Sequence, residues 1–170
     1  MIESERIILI PLTYSQLEKY IRNDTSLETE LNLNPTSRTI SPELKDAIEN
    51  TILPNVADTN KNYLYSTLWT VISKVDNMMV GDICILGEPD AEREIEIGYG
   101  TYDEFQGKGF MTEAVKCIIK WAESEPKVNA IIASTLKSNI ASFRVLEKNN
   151  FRKTGETETL FNWQFTIKQG

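Results

Sequence analysis

Residues 94–114 read EIEIGYGTYDEFQGKGFMTEA. An alternating strand pattern runs through Gly98 and Gly100, and a Gly107-Lys108-Gly109 turn then opens an amphipathic run. Glycine costs helix stability at such a place, so a pair of them points to a backbone that must itself be reachable. The first amides of a helix have no intrahelical partner, and the helix dipole favours an anion beside them. A phosphate suits this arrangement. Two common phosphate motifs do not fit. A Walker loop needs glycine where Tyr102 stands and Ser or Thr where Gly109 stands, and a dinucleotide fingerprint begun at Gly98 needs glycine at Asp103.

Working outward, Phe110, Ala114, Ile118 and Trp121 mark one face of a helix, joined by Met111, Val115 and Ala122, and Pro126 ends the run. VNAIIAS, 128–134, is almost wholly apolar, as expected of a strand covered on both faces. Strand, helix and strand in this order predict one parallel crossover. SNIASFRVLEKNNF, 138–151, is a second helix that starts at Ser138 or Asn139. Ile140, Phe143 and Leu146 are expected to face inward, with Asn150 left-handed at its end.

Upstream, RIILIPL is a half-buried strand, and Thr13 is placed to cap a helix over YSQLEKYI. Residues 24–60 read as a helical insert in which Ser41 caps SPELKDAIENTIL with proline at the first helical position. YLYSTLWTVISK and MMVGDICIL form a hairpin around VDN, and FRKTGE with TLFNWQFTI forms another at the end. The expected fold is α+β: a mixed, mostly antiparallel central sheet with helices on both faces and one parallel crossover. No linker divides it, so residues 1–170 read as a single domain.

Composition narrows the chemistry. At 170 residues the chain is long enough for a substantial core. Its net charge is −7, from 18 basic and 25 acidic residues with no basic run, which disfavours nucleic acid and mildly favours a cationic substrate. No apolar stretch approaches the ~20 residues of a membrane span, and the N-terminus lacks a basic export signal. With two unspaced cysteines, Cys84 and Cys117, the expectation is a cytoplasmic protein with reduced thiols packed as small hydrophobes. Histidine is absent, which removes the usual general base and the commonest transition-metal ligand, and no metal site is expected.

The motifs together resemble the GNAT superfamily of N-acetyltransferases, and within it the RimJ/RimL type. SERIILIPLTYSQLEKY is similar to that type's opening strand and helix, EIEIGYGTYDEFQGKGFMTEAV to its acetyl-CoA motif, and NIASFRVLEKNNF to its second cofactor motif. The resemblance implies an acetyl-CoA-dependent transfer to a primary amine, on a protein N-terminus or a small molecule. It assigns Gln106, Gly107, Lys108, Gly109, Phe110 and Met111 to a loop whose amides cradle the coenzyme pyrophosphate, with Thr112 adding a hydroxyl. Asn139 is placed near the pantetheine arm and Arg144 within reach of a coenzyme phosphate. Glu104 departs from the Gln or Arg that the superfamily prefers at its position.

Transfer to an alkylamine requires loss of a proton from a group that titrates near ~10, and without histidine a carboxylate is the expected agent. Glu94 and Glu96 share one face of their strand, and the resemblance favours Glu96 as base. It also implies that this strand splays from its parallel neighbour, so that amides near Tyr99 and Thr101 hydrogen-bond the acyl arm and polarise the thioester. The tyrosine that many members place after the second-motif asparagine is Leu146 here, and Ser142 is the remaining candidate to protonate or orient the sulfur. These departures motivate one alternative: a catalytically inactive acyl-CoA-binding regulatory module. A homodimer is possible through an exposed apolar strand near Trp163 and Phe165.

Overall fold

The structure is a computed structural model that describes residues 1–167. The chain opens with a short strand, β1 (Ile2–Glu3), which turns back antiparallel onto β2 (Ile7–Pro11). Thr13 then starts α1 (Tyr14–Arg22) through a capping box: its hydroxyl accepts from the Gln16 amide at 3.3 Å while Gln16 Oε1 accepts from the Thr13 amide at 3.0 Å. The helix stops at Asn23, which takes the left-handed conformation at φ 51°.

The helical insert is present as α2 (Ser26–Glu30), α3 (Pro42–Ala47), a π turn over Ile48–Ile52, and α4 (Leu53–Ala57). Ser41 caps α3 with Pro42 at its first position. One expected strand is shorter than its pattern: Tyr63–Tyr65 forms a 3-10 turn, because Asn62 Oδ1 accepts from the Leu64 amide, and β3 (Leu68–Ser73) begins only afterwards. β3 pairs with β4 (Met78–Ile85), and β4 with β5 (Glu94–Thr101), all antiparallel. A 3-10 turn, Asp103–Phe105, leads to α5 (Phe110–Glu123). Next come β6 (Ala130–Leu136), α6 (Ile140–Lys148), and the hairpin β7 (Arg152–Glu156) and β8 (Leu160–Thr166).

The eight strands lie in the order β1-β2-β3-β4-β5-β6-β8-β7, and β5 with β6 is the parallel pair. Alternation along the strands divides the core. Trp69, Val71, Ile83, Ile95 and Ile97 pack with Ala114, Val115 and Ile118 of α5. Leu68, Ile72 and Met79 pack on the other face with Leu17 and Tyr20 of α1 and with Ile48 and Ile52. Each fully buried Leu or Ile stabilises the fold by roughly 1.5–3 kcal/mol relative to leaving it in water.

Two expectations change. Leu146 is fully buried, but Ile140 is 54% exposed. Steps of three residues on a helix of 3.6 per turn rotate backwards, so Ile140 sits about 120° around α6 from Leu146. Among the described residues β8 lies between β6 and β7, so the strand that carries Trp163 and Phe165 is not the edge of the sheet; β7 is.

Candidate active site

The site begins where the parallel pair fails. β5 and β6 pair through Glu94 with Ala130, Ile95 with Ile131 and Glu96 with Ile132. Beyond that point β5 continues against β4 to Thr101, while β6 continues against β8 to Leu136, and the two strands part. The Glu96 carbonyl accepts from Leu86 and the Tyr102 amide donates to Val80, so even-numbered residues of β5 bond towards β4. Alternation then turns the backbone groups of Ile97, Tyr99 and Thr101 towards the gap.

The gap leads to a cleft of about 370 Å³ between β5, the glycine loop and the first turns of α5 and α6. β5 contributes Tyr99 and Thr101, and the loop contributes Gln106, Gly107 and Gly109. Phe110, Met111 and Thr112 line it from α5, and Asn139, Ser142 and Arg144 from α6. The fold thus brings together residues that are far apart in the chain. Lys108 does not line the cleft; its ammonium lies 5.3 Å from the Phe105 ring centre. Glu96 is also outside the lining, on the face of β5 opposite Tyr99.

The loop geometry explains the glycines. Gly107 and Gly109 have φ of 77° and 80°, the left-handed region that residues with a Cβ rarely adopt. Gly109 is also the N-cap of α5 and provides no side-chain hydrogen bond, whereas Thr13 caps α1 and Asn139 caps α6. The first amides of α5 are therefore left open at the end of the helix where the dipole is positive. They suit an anion. Glu104 is exposed on the preceding turn.

Other predicted residues have specific surroundings. Asn139 Oδ1 accepts from the Ser142 amide at 3.1 Å, so the asparagine caps α6 while it lines the cleft. The Tyr99 hydroxyl donates to the Ser142 carbonyl at 2.7 Å, joining β5 to α6 across the cleft. Burial pushes this phenol up to about 12, against the effect of its hydrogen bond, and keeps it a neutral donor. Leu146 fills core volume and has no group to offer. Glu94 Oε2 accepts a hydrogen bond from Gln164 of β8, whereas the half-buried Glu96 side chain forms no hydrogen bond or ion pair among the described residues. Cys84 lies beside Gly98 on Glu96's face. Burial, with the charges of Asp82 and Glu96, pushes its thiol up to about 11 against a backbone hydrogen bond at Gly98. Such a thiol is a poor nucleophile at neutral pH.

The sequence reading missed Gly100, Phe105, Ala141 and Val145 of the lining, and two charged contributors besides. Lys148 lines the cleft one helical turn beyond Arg144, a spacing that helical periodicity makes legible. Arg6 reaches the glycine loop from 102 residues away, and no local pattern announces that contact.

The profile of the acetyltransferase (GNAT) domain matches residues 6–152. The chain belongs to the GNAT acetyltransferase family. Among its relatives, the uncharacterized N-acetyltransferase YjdG of Bacillus subtilis (strain 168) is 32% identical over 100 residues, covering 59% of this chain and 60% of that protein. The putative ribosomal N-acetyltransferase YdaF of the same strain is 28% identical over 116 residues, covering 68% and 62%. These matches therefore span under two thirds of either relative. Among solved structures, the ribosomal-protein-S5-alanine acetyltransferase from Vibrio fischeri superposes with a TM-score of 0.70 at 20% identity, over 96% of this chain and 94% of that one. That likeness is one of fold. No described helix is long and apolar enough to cross a membrane.

Proposed function

We propose that the chain is an acetyl-CoA-dependent N-acetyltransferase that moves an acetyl group directly to a primary amine. The observation that carries this reading is the parting of β5 from β6 immediately beyond Glu96, with a glycine-lined, uncapped helix terminus at the end of the gap. A pantetheine arm suits the former and a pyrophosphate the latter. Acetyl-CoA, when bound, supplies the activated acetyl thioester.

The chain's residues divide the remaining work. Amides of Gly107, Lys108, Gly109, Phe110, Met111 and Thr112, with Gln106 beside them, hold the pyrophosphate; Arg144 meets a coenzyme phosphate, and the Asn139 amide group faces the arm. Backbone N–H groups at Tyr99 and Thr101 hydrogen-bond the arm and polarise the thioester oxygen as charge develops there. Glu96 takes the amine's proton, directly or through one water. Glu94 is less suited because Gln164 occupies it.

Ser142 orients the departing sulfur rather than protonating it. Thiols titrate near ~8.5, several units below a serine or the Tyr99 phenol, so proton transfer from either is uphill and water suffices. The poor nucleophilicity of Cys84 supports direct transfer over an acyl-enzyme. A protein N-terminal amine is the preferred acceptor class, supported by the likeness to YdaF, a putative ribosomal N-acetyltransferase.

The test is release of coenzyme thiol from acetyl-CoA by the purified chain, with peptides bearing free N-termini and a panel of small amines. Release with an amine supports the proposal. Binding of acetyl-CoA without release, unchanged by Glu96→Gln, would instead identify a regulatory module.

A further inference from the structure

An array of amides turned towards one point is not self-supporting. The parallel N–H dipoles repel, and a loop containing two left-handed glycines has much backbone freedom to escape them. Something must hold the Gly107–Gly109 segment open before an anion arrives. Among the described residues no side chain that lines the cleft hydrogen-bonds to Gly107, Lys108 or Gly109, whereas one at the rear of the loop does.

There, Arg6 Nη1 donates to the Lys108 carbonyl at 3.0 Å. The guanidinium carbon lies 5.0 Å from the Phe110 ring centre, and Nη2 sits 3.2 Å from where a Cβ on Gly109 would be. Arg6 is itself braced: its Nε donates to Glu113 Oε1 at 3.0 Å, and Glu113 Oε2 accepts from the Arg6 amide at 3.0 Å and the Ser4 hydroxyl at 2.5 Å. The Arg6 carbonyl accepts from Lys74 at the end of β3, which ties the assembly to the sheet.

We infer that Arg6, braced by Glu113 and Ser4, is a positioning residue that pulls the Lys108 carbonyl to the rear of the glycine loop and so keeps the neighbouring amides turned to the cleft. The inference rests on the reading of that loop as the coenzyme cradle. The role is geometric. Arg6 and Glu113 together carry no net charge, so their long-range effect on an anion is small. The guanidinium also acts in three directions at once: Nε towards Glu113, Nη1 towards Lys108 and its face over Phe110. A lysine ammonium on a flexible stem cannot reproduce that set.

The experiment is titration calorimetry of the full chain with coenzyme A, comparing wild type with Arg6→Ala, Arg6→Lys and Glu113→Gln. Amide hydrogen exchange over residues 105–112 accompanies it, without ligand. Arg6→Ala and Arg6→Lys are expected to weaken binding about tenfold and Glu113→Gln about threefold, the range of the net contribution of a typical hydrogen bond. Exchange should accelerate at the glycine loop but not in β3 or β4, and KM for the amine should hold. Binding equal to wild type in Arg6→Ala overturns the inference, as does full rescue by Arg6→Lys, which would make the role one of charge. If the Arg6 variants do not fold, unchanged binding and loop exchange in Glu113→Gln overturn it. A wild-type chain that binds no coenzyme A overturns the proposed function and this inference together.

Discussion

At the scale of single residues, the two carboxylates differ in their surroundings, and the difference favours Glu96 as the base of the proposed reaction. Glu94 and Glu96 are two positions apart on one strand face, but Gln164 occupies Glu94 while Glu96 stands at the last paired position before the strands part. Glu96→Gln is predicted to lower kcat by ~10²–10⁴ while leaving the dissociation constant for acetyl-CoA unchanged, the scale of a lost general base. Steady-state kinetics with calorimetry separates the two. Glu113 allows a pH prediction. Burial raises its carboxyl, but hydrogen bonds from Ser4 and Arg6 outweigh this and hold it below the ordinary 4.5. A lowered folded value means stability that is fully present above 4.5 and lost as pH falls through the folded value. The difference in unfolding free energy between wild type and Glu113→Gln should therefore be level from neutrality down to about that pH and shrink below it.

At the scale of elements, the signals that could be read were local ones. Thr13, Ser41 and Asn139 each cap a helix, and Asn150 takes φ 64° at the end of α6, as short-range hydrogen bonding and backbone sterics dictate. The glycine loop and its uncapped helix were legible for the same reason. Two local details were read wrongly: two steps of three residues carry Ile140 about 120° around α6 from Leu146, and YLY of residues 63–65 carries a strand's composition but turns because of Asn62. Long-range geometry was not legible, and Arg6 was missed because its partners are about a hundred residues on. Gly81 tests the alignment of the gap itself. A Cβ there would lie 2.6 Å from the Gly100 carbonyl oxygen and 3.1 Å from Thr101 Cα, both backbone atoms of β5. Gly81→Ala should push β5 aside, lower the melting temperature by several degrees and weaken coenzyme binding, whereas the same change at Gly100, with open space around it, should have a small effect.

At the scale of the molecule, the sheet separates two faces. Its α5 and α6 face carries the cleft, and its other face is covered by α1 and the helices of the insert. That cover is pinned by polar contacts as well as by Leu17 and Ile48. Arg38 Nη1 pairs with Glu28 at 3.1 Å with both side chains almost fully buried, its Nη2 donates to the Tyr20 carbonyl, and its guanidinium lies over the Tyr20 ring. Tyr20 and Tyr102 in turn both donate to Asp82 of β4, at 2.5 and 2.7 Å. Removing one partner of a buried pair strands the other's charge, so Arg38→Ala should cost about 3–5 kcal/mol in chemical denaturation. Under the proposed function, Glu96 meets the amine from this face and the acetyl donor enters from the other. The most direct test of that division is a single-turnover experiment with labelled acetyl-CoA and a peptide carrying a free N-terminal amine. Direct transfer across the gap predicts that label passes to the peptide amine only when both substrates are present, that none is retained on the protein, and that Glu96→Gln slows passage without loss of acetyl-CoA binding. Label held on the protein in the absence of peptide, or no transfer to any amine, would contradict it.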